Sequence, residues 1–276
     1  MNNAIKRIEQ ERKKYAKDWC VDAKKFTEDK DYEWMESIIK SYKMVIEIGC
    51  GDGSSTLTLC NAGHNIVSID ENIECLKLTK NKLELAGYSV SLIKRESLLI
   101  LNPKKYKINY SRIDSDINEK SVLLIQGDII EDRNLLQWLK DNRPYDAIVC
   151  WLIGTHGYRI FNDIISDRRI KTPGDYRLTV QNRVYEIADE LLRSNGVLQI
   201  VDRGETPDKA SIKEDFIESH KDQASVTSLI VNSLAYRNYD NNIDNGTRMN
   251  VTIGNKMEII TKLPNGSFIS VISVKP

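Results

Sequence analysis

The chain has 276 residues, 41% of them apolar, which suits one α/β core with added segments rather than two full domains. Lys plus Arg and Asp plus Glu both number 40, and this neutral balance argues against a long nucleic acid as the main partner. The N-terminus is charged with no apolar h-region, and no apolar run approaches the ~20 residues of a membrane span, so a soluble cytoplasmic protein is expected.

Residues 1–40 read as a polar helical segment whose apolar positions include Tyr15, Trp19, Tyr32, Trp34, Met35, Ile38 and Ile39. Met44 to Ile48 is a β-branched run stopped by Gly49, the mark of a buried strand. Ser54 to Ala62 reads as a short helix closed by Gly63. Ile66 to Asp70 is a second strand, and Asn72 to Ala86 a helix ended by Gly87. From Tyr88 to Lys120 the rhythm breaks, and the segment carries Lys94, Arg95, Lys104, Lys105, Lys107 and Arg112. An inserted hairpin or arm is expected over about 88–120.

Rhythm resumes with strands at 122–128 and 145–151 around a short helix at 135–140. A long polar loop follows from about Gly154 to Tyr176. Leu178 to Arg193 carries Val180, Val184, Ile187, Ala188, Leu191 and Leu192 at the helical period. Ser194-Asn195-Gly196 then ends the helix, and Val197 to Asp202 is the fifth strand. Residues 208–222 read as a helix and 226–231 as a sixth strand. Asn238 to Gly246 reads as an exposed loop. Strands at 257–262 and 268–274 flank Pro264-Asn265-Gly266, a hairpin signal. The sum is an α/β, doubly wound, mainly parallel seven-stranded sheet with helices on both faces. It divides into an N-terminal helical segment at 1–40 and an α/β domain at 41–276.

Such folds bind ligands past the carboxyl ends of the strands, where strand order reverses. The loop after Ile48 reads Gly49-Cys50-Gly51-Asp52-Gly53. Alternate glycines allow a tight turn and a close ligand approach. The nicotinamide-dinucleotide fingerprint would put its third glycine at position 54, which here is Ser54. Glu47, two residues before Gly49, suits a cationic ligand better than a pyrophosphate. Asp70 ends the second strand about 20 residues on, where an acidic side chain can meet ribose hydroxyls or simply cap a helix.

Val45 to Gly53 resembles the first motif of the class I S-adenosylmethionine-dependent methyltransferases. Asp70, the run Gln126-Gly127-Asp128-Ile129, Tyr145 to Val149 and Leu191 to Leu198 resemble later motifs of that family, in the same order. The resemblance spans Met44 to Asp202. It implies S-adenosyl-L-methionine as cofactor and a Rossmann-like domain over 41–276, with residues 1–40 in the place of the helical lid of many small-molecule methyltransferases. Gly49, Gly51 and Gly53 would pass its methionine portion, Glu47 would orient the loop, Asp70 would hold the ribose, and Asp128 and Ile129 the adenine.

It also places the methyl acceptor beyond the fourth strand. The family groups that methylate base or glutamine amines carry Asn/Asp-Pro-Pro-Tyr there. Here Trp151 is followed by Leu-Ile-Gly-Thr-His-Gly-Tyr-Arg. His156 is then the candidate general base, with Trp151, Tyr158 and Arg159 as acceptor-loop residues, Arg159 toward a carboxylate or phosphate. A small-molecule acceptor is the main expectation. RNA or protein docking through the arm, or cofactor binding without catalysis, are the alternatives. Five scattered cysteines and three distant histidines suggest packed thiols and no metal site. The oligomeric state is not encoded in any pattern here.

Overall fold

The computed structural model describes residues 3–102, 104–117, 122–168, 170–238, 249–253, 256–260 and 266–276. Helix α1 (Asn3–Glu28) leads to α2 (Asp31–Ser37), with Lys30 in the left-handed conformation between them. Strand β1 (Met44–Ile48) runs through the glycine loop into α3 (Ser54–Asn61). Then come β2 (Asn65–Asp70) and α4 (Ile73–Leu85), which Asn72 caps by accepting from the Glu74 N–H. Strand β3 (Val90–Ile93) precedes a hairpin of β4 (Glu96–Asn102) and β5 (Lys105–Tyr110).

After β6 (Val122–Gln126) come α5 (Arg133–Asp141), β7 (Tyr145–Trp151), a 3-10 turn over Gly157–Phe161, and α6 (Asp163–Asp167). Helix α7 (Pro173–Leu191) feeds β8 (Leu192–Glu205), α8 (Ala210–Ala224) and β9 (Ile230–Asn238). The chain closes with β10 (Met249–Ile253), β11 (Lys256–Ile260) and β12 (Gly266–Val274).

The main sheet has the order β3-β6-β2-β1-β7-β8-β12-β9, with β12 antiparallel to both neighbours. Alternate side chains of β1 point to opposite faces. Ile46 and Ile48 join α5 and α7 in one core, while Val45 joins α1, α2, α3 and α4 in the other. Each large side chain fully buried in these layers, such as Phe26, Leu59 or Val184, contributes about 1.5–3 kcal/mol by leaving water. Strand order reverses between β1 and β7, so the crevice opens at their carboxyl ends, under α1.

Five expectations are corrected. The sheet has eight strands rather than seven, because Val90–Ile93 pairs in parallel with β6. The inserted arm therefore starts after Ile93, not at Tyr88. The loop expected over 154–176 holds two short helical pieces and the first turn of α7. There Thr172 accepts from the Asp175 N–H while Asp175 accepts from the Thr172 N–H, with Pro173 at the first helical position. Ser194 to Gly196 do not end a helix but lie inside β8, whose register against β7 slips between Tyr145 and Ala147. Finally, residues 256–260 pair with β10 rather than β12, which lies between β8 and β9. The loop expected from Asn238 to Gly246 falls, beyond Asn238 itself, outside the described residues.

Candidate active site at the carboxyl ends of strands β1, β2 and β7

Gly49 and Gly51 adopt φ values of +87° and +55°, which only glycine holds without strain, and both line the crevice. A Cβ on Gly51 would come within 2.2 Å of Trp19 Nε1, so the Trp19 indole of α1 lies directly over the loop. Gly53 serves differently. Its α-carbon packs on α4, where a Cβ would meet the Thr79 backbone at 2.6 Å, and it does not line the crevice.

Glu47 also points away from the crevice, under α3. It accepts from the hydroxyls of Ser55, Thr56 and Ser68 at 2.5, 2.6 and 2.7 Å. Burial pushes its carboxyl up, and those three hydroxyls partly hold it down. Its part is to fix the start of α3, which anchors the far side of the glycine loop.

Asp70, at the tip of β2, faces the crevice. Its Oδ1 accepts from the Asn72 N–H at 2.8 Å and its Oδ2 from the Gly51 N–H at 3.3 Å. Burial pushes this carboxyl up to about 7 despite those two donors, and nearby Glu71 adds to the rise. Asp128 and Ile129 line the same crevice from the loop after β6. Asp128 is held by the Arg159 guanidinium in a buried ion pair.

Glu71 was not anticipated, and it is the hub of the site. Arg12 of α1 lies 3.2 Å from it, Arg159 3.4 Å and His156 Nε2 3.4 Å, while the Thr155 hydroxyl donates to it at 3.3 Å. Burial alone would raise the Glu71 carboxyl, but Arg159, His156 and Arg12 together hold it well below the usual carboxylate range. Arg12 also forks onto Glu96 of the hairpin at 2.9 Å. One side chain thus ties α1, β2 and the arm together.

A sequence signal for Arg12 existed. It interrupts the apolar stripe Ile8, Tyr15, Trp19, Ala23 and Phe26 of α1, where a charge is admitted only with a partner. Adjacent Asp70 and Glu71 gave no such signal, because the partners of Glu71 lie 59 and 88 residues away in sequence.

The expected acceptor-loop residues separate. Trp151 lines the crevice, and its indole N–H donates to Gln199 at 3.0 Å. Tyr158 does not reach the site. It stacks on Tyr106 of the arm, with ring centroids 6.1 Å apart, in a small core with Ile8 and Ile108. Arg159 is buried and committed to Asp128 and Glu71, so it is not a free anion clamp.

His156 is buried in the wall of a second cavity of about 770 Å³ that adjoins the crevice. Its contact with Glu71 is too poorly aligned for a hydrogen bond, and neither ring nitrogen has one. Tyr15, Trp19, Leu152, Ile153 and Tyr176 line both cavities. Leu152 sits at this junction with φ +54°, a costly conformation for a branched side chain.

No family model matches the chain, and no curated protein matches it in sequence. Solved structures resemble it in fold. TrmN from Thermus thermophilus superposes with a TM-score of 0.46 at 10% identity, over 89% of this chain and 48% of that one. A SAM-dependent O-methyltransferase from Thermotoga maritima gives 0.44 at 11% identity, over 89% and 64%. Magnesium protoporphyrin IX methyltransferase from Synechocystis PCC 6803 gives 0.45 at 11% identity, over 92% and 84%. The chain thus spans about half the length of the first and under two thirds of the second. By its own strand order, with β12 alone antiparallel in a doubly wound sheet, the chain has the class I Rossmann-like methyltransferase fold.

Proposed function

We propose that the chain is an S-adenosylmethionine-dependent methyltransferase that methylates an oxygen or nitrogen of a small molecule. One observation carries this: a loop of left-handed glycines and a half-buried aspartate meet at neighbouring strand tips, joined by the Gly51 N–H to Asp70 bond, at the point where strand order reverses. A backbone free of Cβ atoms beside a carboxylate suits a ligand that combines a ribose with a cationic amino-acid portion.

When bound, S-adenosylmethionine supplies an electrophilic methyl group on a sulfonium, and the sulfur departs with the bond pair as a neutral thioether. Everything else falls to the chain. Gly49 and Gly51 admit the methionine portion, and Asp70 accepts from the ribose hydroxyls. Ile129 packs on the adenine beside Asp128. Tyr15, Trp19 and Tyr176 form an aromatic wall between the two cavities, aligning the acceptor and excluding water. The acceptor's nucleophilic atom forms the new bond to carbon and loses its proton. With His156 Nε2 beside Glu71, Nδ1 is left to take that proton.

Titration calorimetry tests the cofactor reading. S-adenosylhomocysteine should bind in the micromolar range, about −8 kcal/mol, with NAD and ATP weaker; tighter binding of NAD would refute the proposal. His156→Ala should lower turnover by roughly 10²- to 10⁴-fold while leaving S-adenosylhomocysteine affinity unchanged. Full turnover in that variant would leave catalysis to alignment alone.

A further inference from the structure

The 770 Å³ chamber next to the crevice has the size of a small-molecule site, and its walls are chemically uneven. Ile153, Ile165, Ile170 and Pro173 make an apolar floor. Lys14, Lys171, Arg177 and Arg203 also face it, against the single carboxylate of Asp18. Lys14 lies 3.8 Å from Asp18, and Arg177 lies 3.2 Å from Asp202. Arg203 makes no ion pair among the described residues, and Lys171 has only the charge of nearby Asp175, which does not line the chamber, so the lining carries more cationic than anionic side chains in a chain that is neutral overall. In a concave, partly apolar site such an excess acts as a focused field for anions. The wall also contains unsatisfied polar atoms: both ring nitrogens of buried His156 and the Nε of buried Arg159 make no hydrogen bond. Buried polar atoms of this kind need a partner, which a ligand or a water in the chamber can supply.

We propose that the methyl acceptor is an anionic small molecule, a carboxylate or phosphate ester with an apolar body, whose charged end is held by Arg203 and Lys171 while its nucleophile faces His156. This rests on the methyltransferase reading and narrows it to a substrate class. It also moves the anion clamp from Arg159, which is already paired inside the protein, to Arg203 at the end of β8. A guanidinium there can grip either anion through two parallel N–H donors.

The test is labelled-methyl transfer from S-adenosylmethionine into a low-molecular-weight cell extract first split on an anion exchanger at neutral pH. Acceptor activity is expected in the retained fraction. Phosphatase treatment of that fraction separates the two sources, since a phosphate-ester acceptor is lost and a carboxylate survives. Arg203→Gln should raise KM for the retained acceptor by about tenfold or more, with Arg203→Lys recovering part of it. S-adenosylhomocysteine affinity, read by calorimetry, should stay within about twofold in both variants, because Arg203 does not line the crevice. Label in the unretained fraction or in nothing would overturn the anionic acceptor, as would an unchanged KM in Arg203→Gln. Failure of wild-type protein to bind S-adenosylhomocysteine would instead overturn the methyltransferase reading beneath it.

Discussion

Burial raises the cost of a charge on Asp70, while the N–H groups of Gly51 and Asn72 lower it; burial wins, and the carboxyl is pushed up to about 7. In the unfolded chain the same group ionises near pH 4. Between those values the folded protein keeps a proton that the unfolded chain has released. The stability this adds is complete at the acid end and is lost as pH rises through about 7. Ligand binding works in the opposite direction. Ribose hydroxyls donate to the carboxylate, so below pH 7 binding must expel the proton. S-adenosylhomocysteine affinity is therefore expected to rise with pH, by at most about tenfold per unit, and to level off above pH 7. Calorimetry at pH 5.5, 6.5 and 7.5 reads this directly. Asp70→Asn, with no proton to lose, should bind weakly and with a flat profile. A flat wild-type profile would show that the ligand does not touch Asp70.

Helix α1 lies over the crevice, which its Tyr15 and Trp19 help to line. Its apolar stripe packs on α4 and the 3-10 turn, and the Asn72 amide donates to the Arg12 carbonyl at 3.1 Å, pinning the helix across the strand tips. The Trp19 indole then fills the space over Gly51 where a methionine portion would lie. Saturation with S-adenosylhomocysteine should therefore displace Trp19 and shift the intrinsic fluorescence. Trp19→Phe should still bind and lose most of that shift. Unchanged emission in the wild type at saturation would mean that the ligand sits away from the glycine loop. The sequence made α1 legible as a helix, because apolar and aromatic residues recur along a polar segment. The buried central strands were legible for a similar reason, as unbroken apolar runs between glycines. Strand β3 was not, because it is an edge strand whose side chains are only half buried or exposed, and its short run merges with the polar arm. The first turn of α7 was missed although Thr172, Pro173 and Asp175 spell a helix start. Its apolar period begins later, at Tyr176 and Val180.

Across the whole molecule, three parts separated in sequence converge on one carboxylate. Arg12 of α1 and Arg159 of the segment after β7 meet on Glu71, just past the end of β2, and Glu96 of the arm joins through Arg12. Buried charges are stable only in such company, since removing one partner from a buried pair typically costs about 3–5 kcal/mol. No local pattern reveals this convergence, which is why the glycine loop, Asp70 and Asp128 could be found from sequence while the hub between them could not. The arm's lysines illustrate the same limit. They read as a possible grip for an anion, yet Lys105 pairs with Asp167 at 2.7 Å, and the neighbouring Arg95 is a buried staple to Asp132 at 2.6 Å and to the Ser111 carbonyl. What the arm does hold is α1, through Arg12–Glu96 and through the packing of Ile8 on Tyr106 and Ile108. Strands β4 and β5 form their own two-stranded sheet, and Glu96 pairs with Tyr110 across its base. Residues 98–108 can therefore be replaced by a short turn without breaking a hydrogen bond of the main sheet. Hydrogen exchange of this variant should quicken along α1, most at its N-terminal end, while β1, β2 and β7 stay protected. S-adenosylhomocysteine should dissociate faster once α1 is loosened. If exchange rose as much in the central strands as in α1, the arm would be part of the folding core rather than a brace for α1.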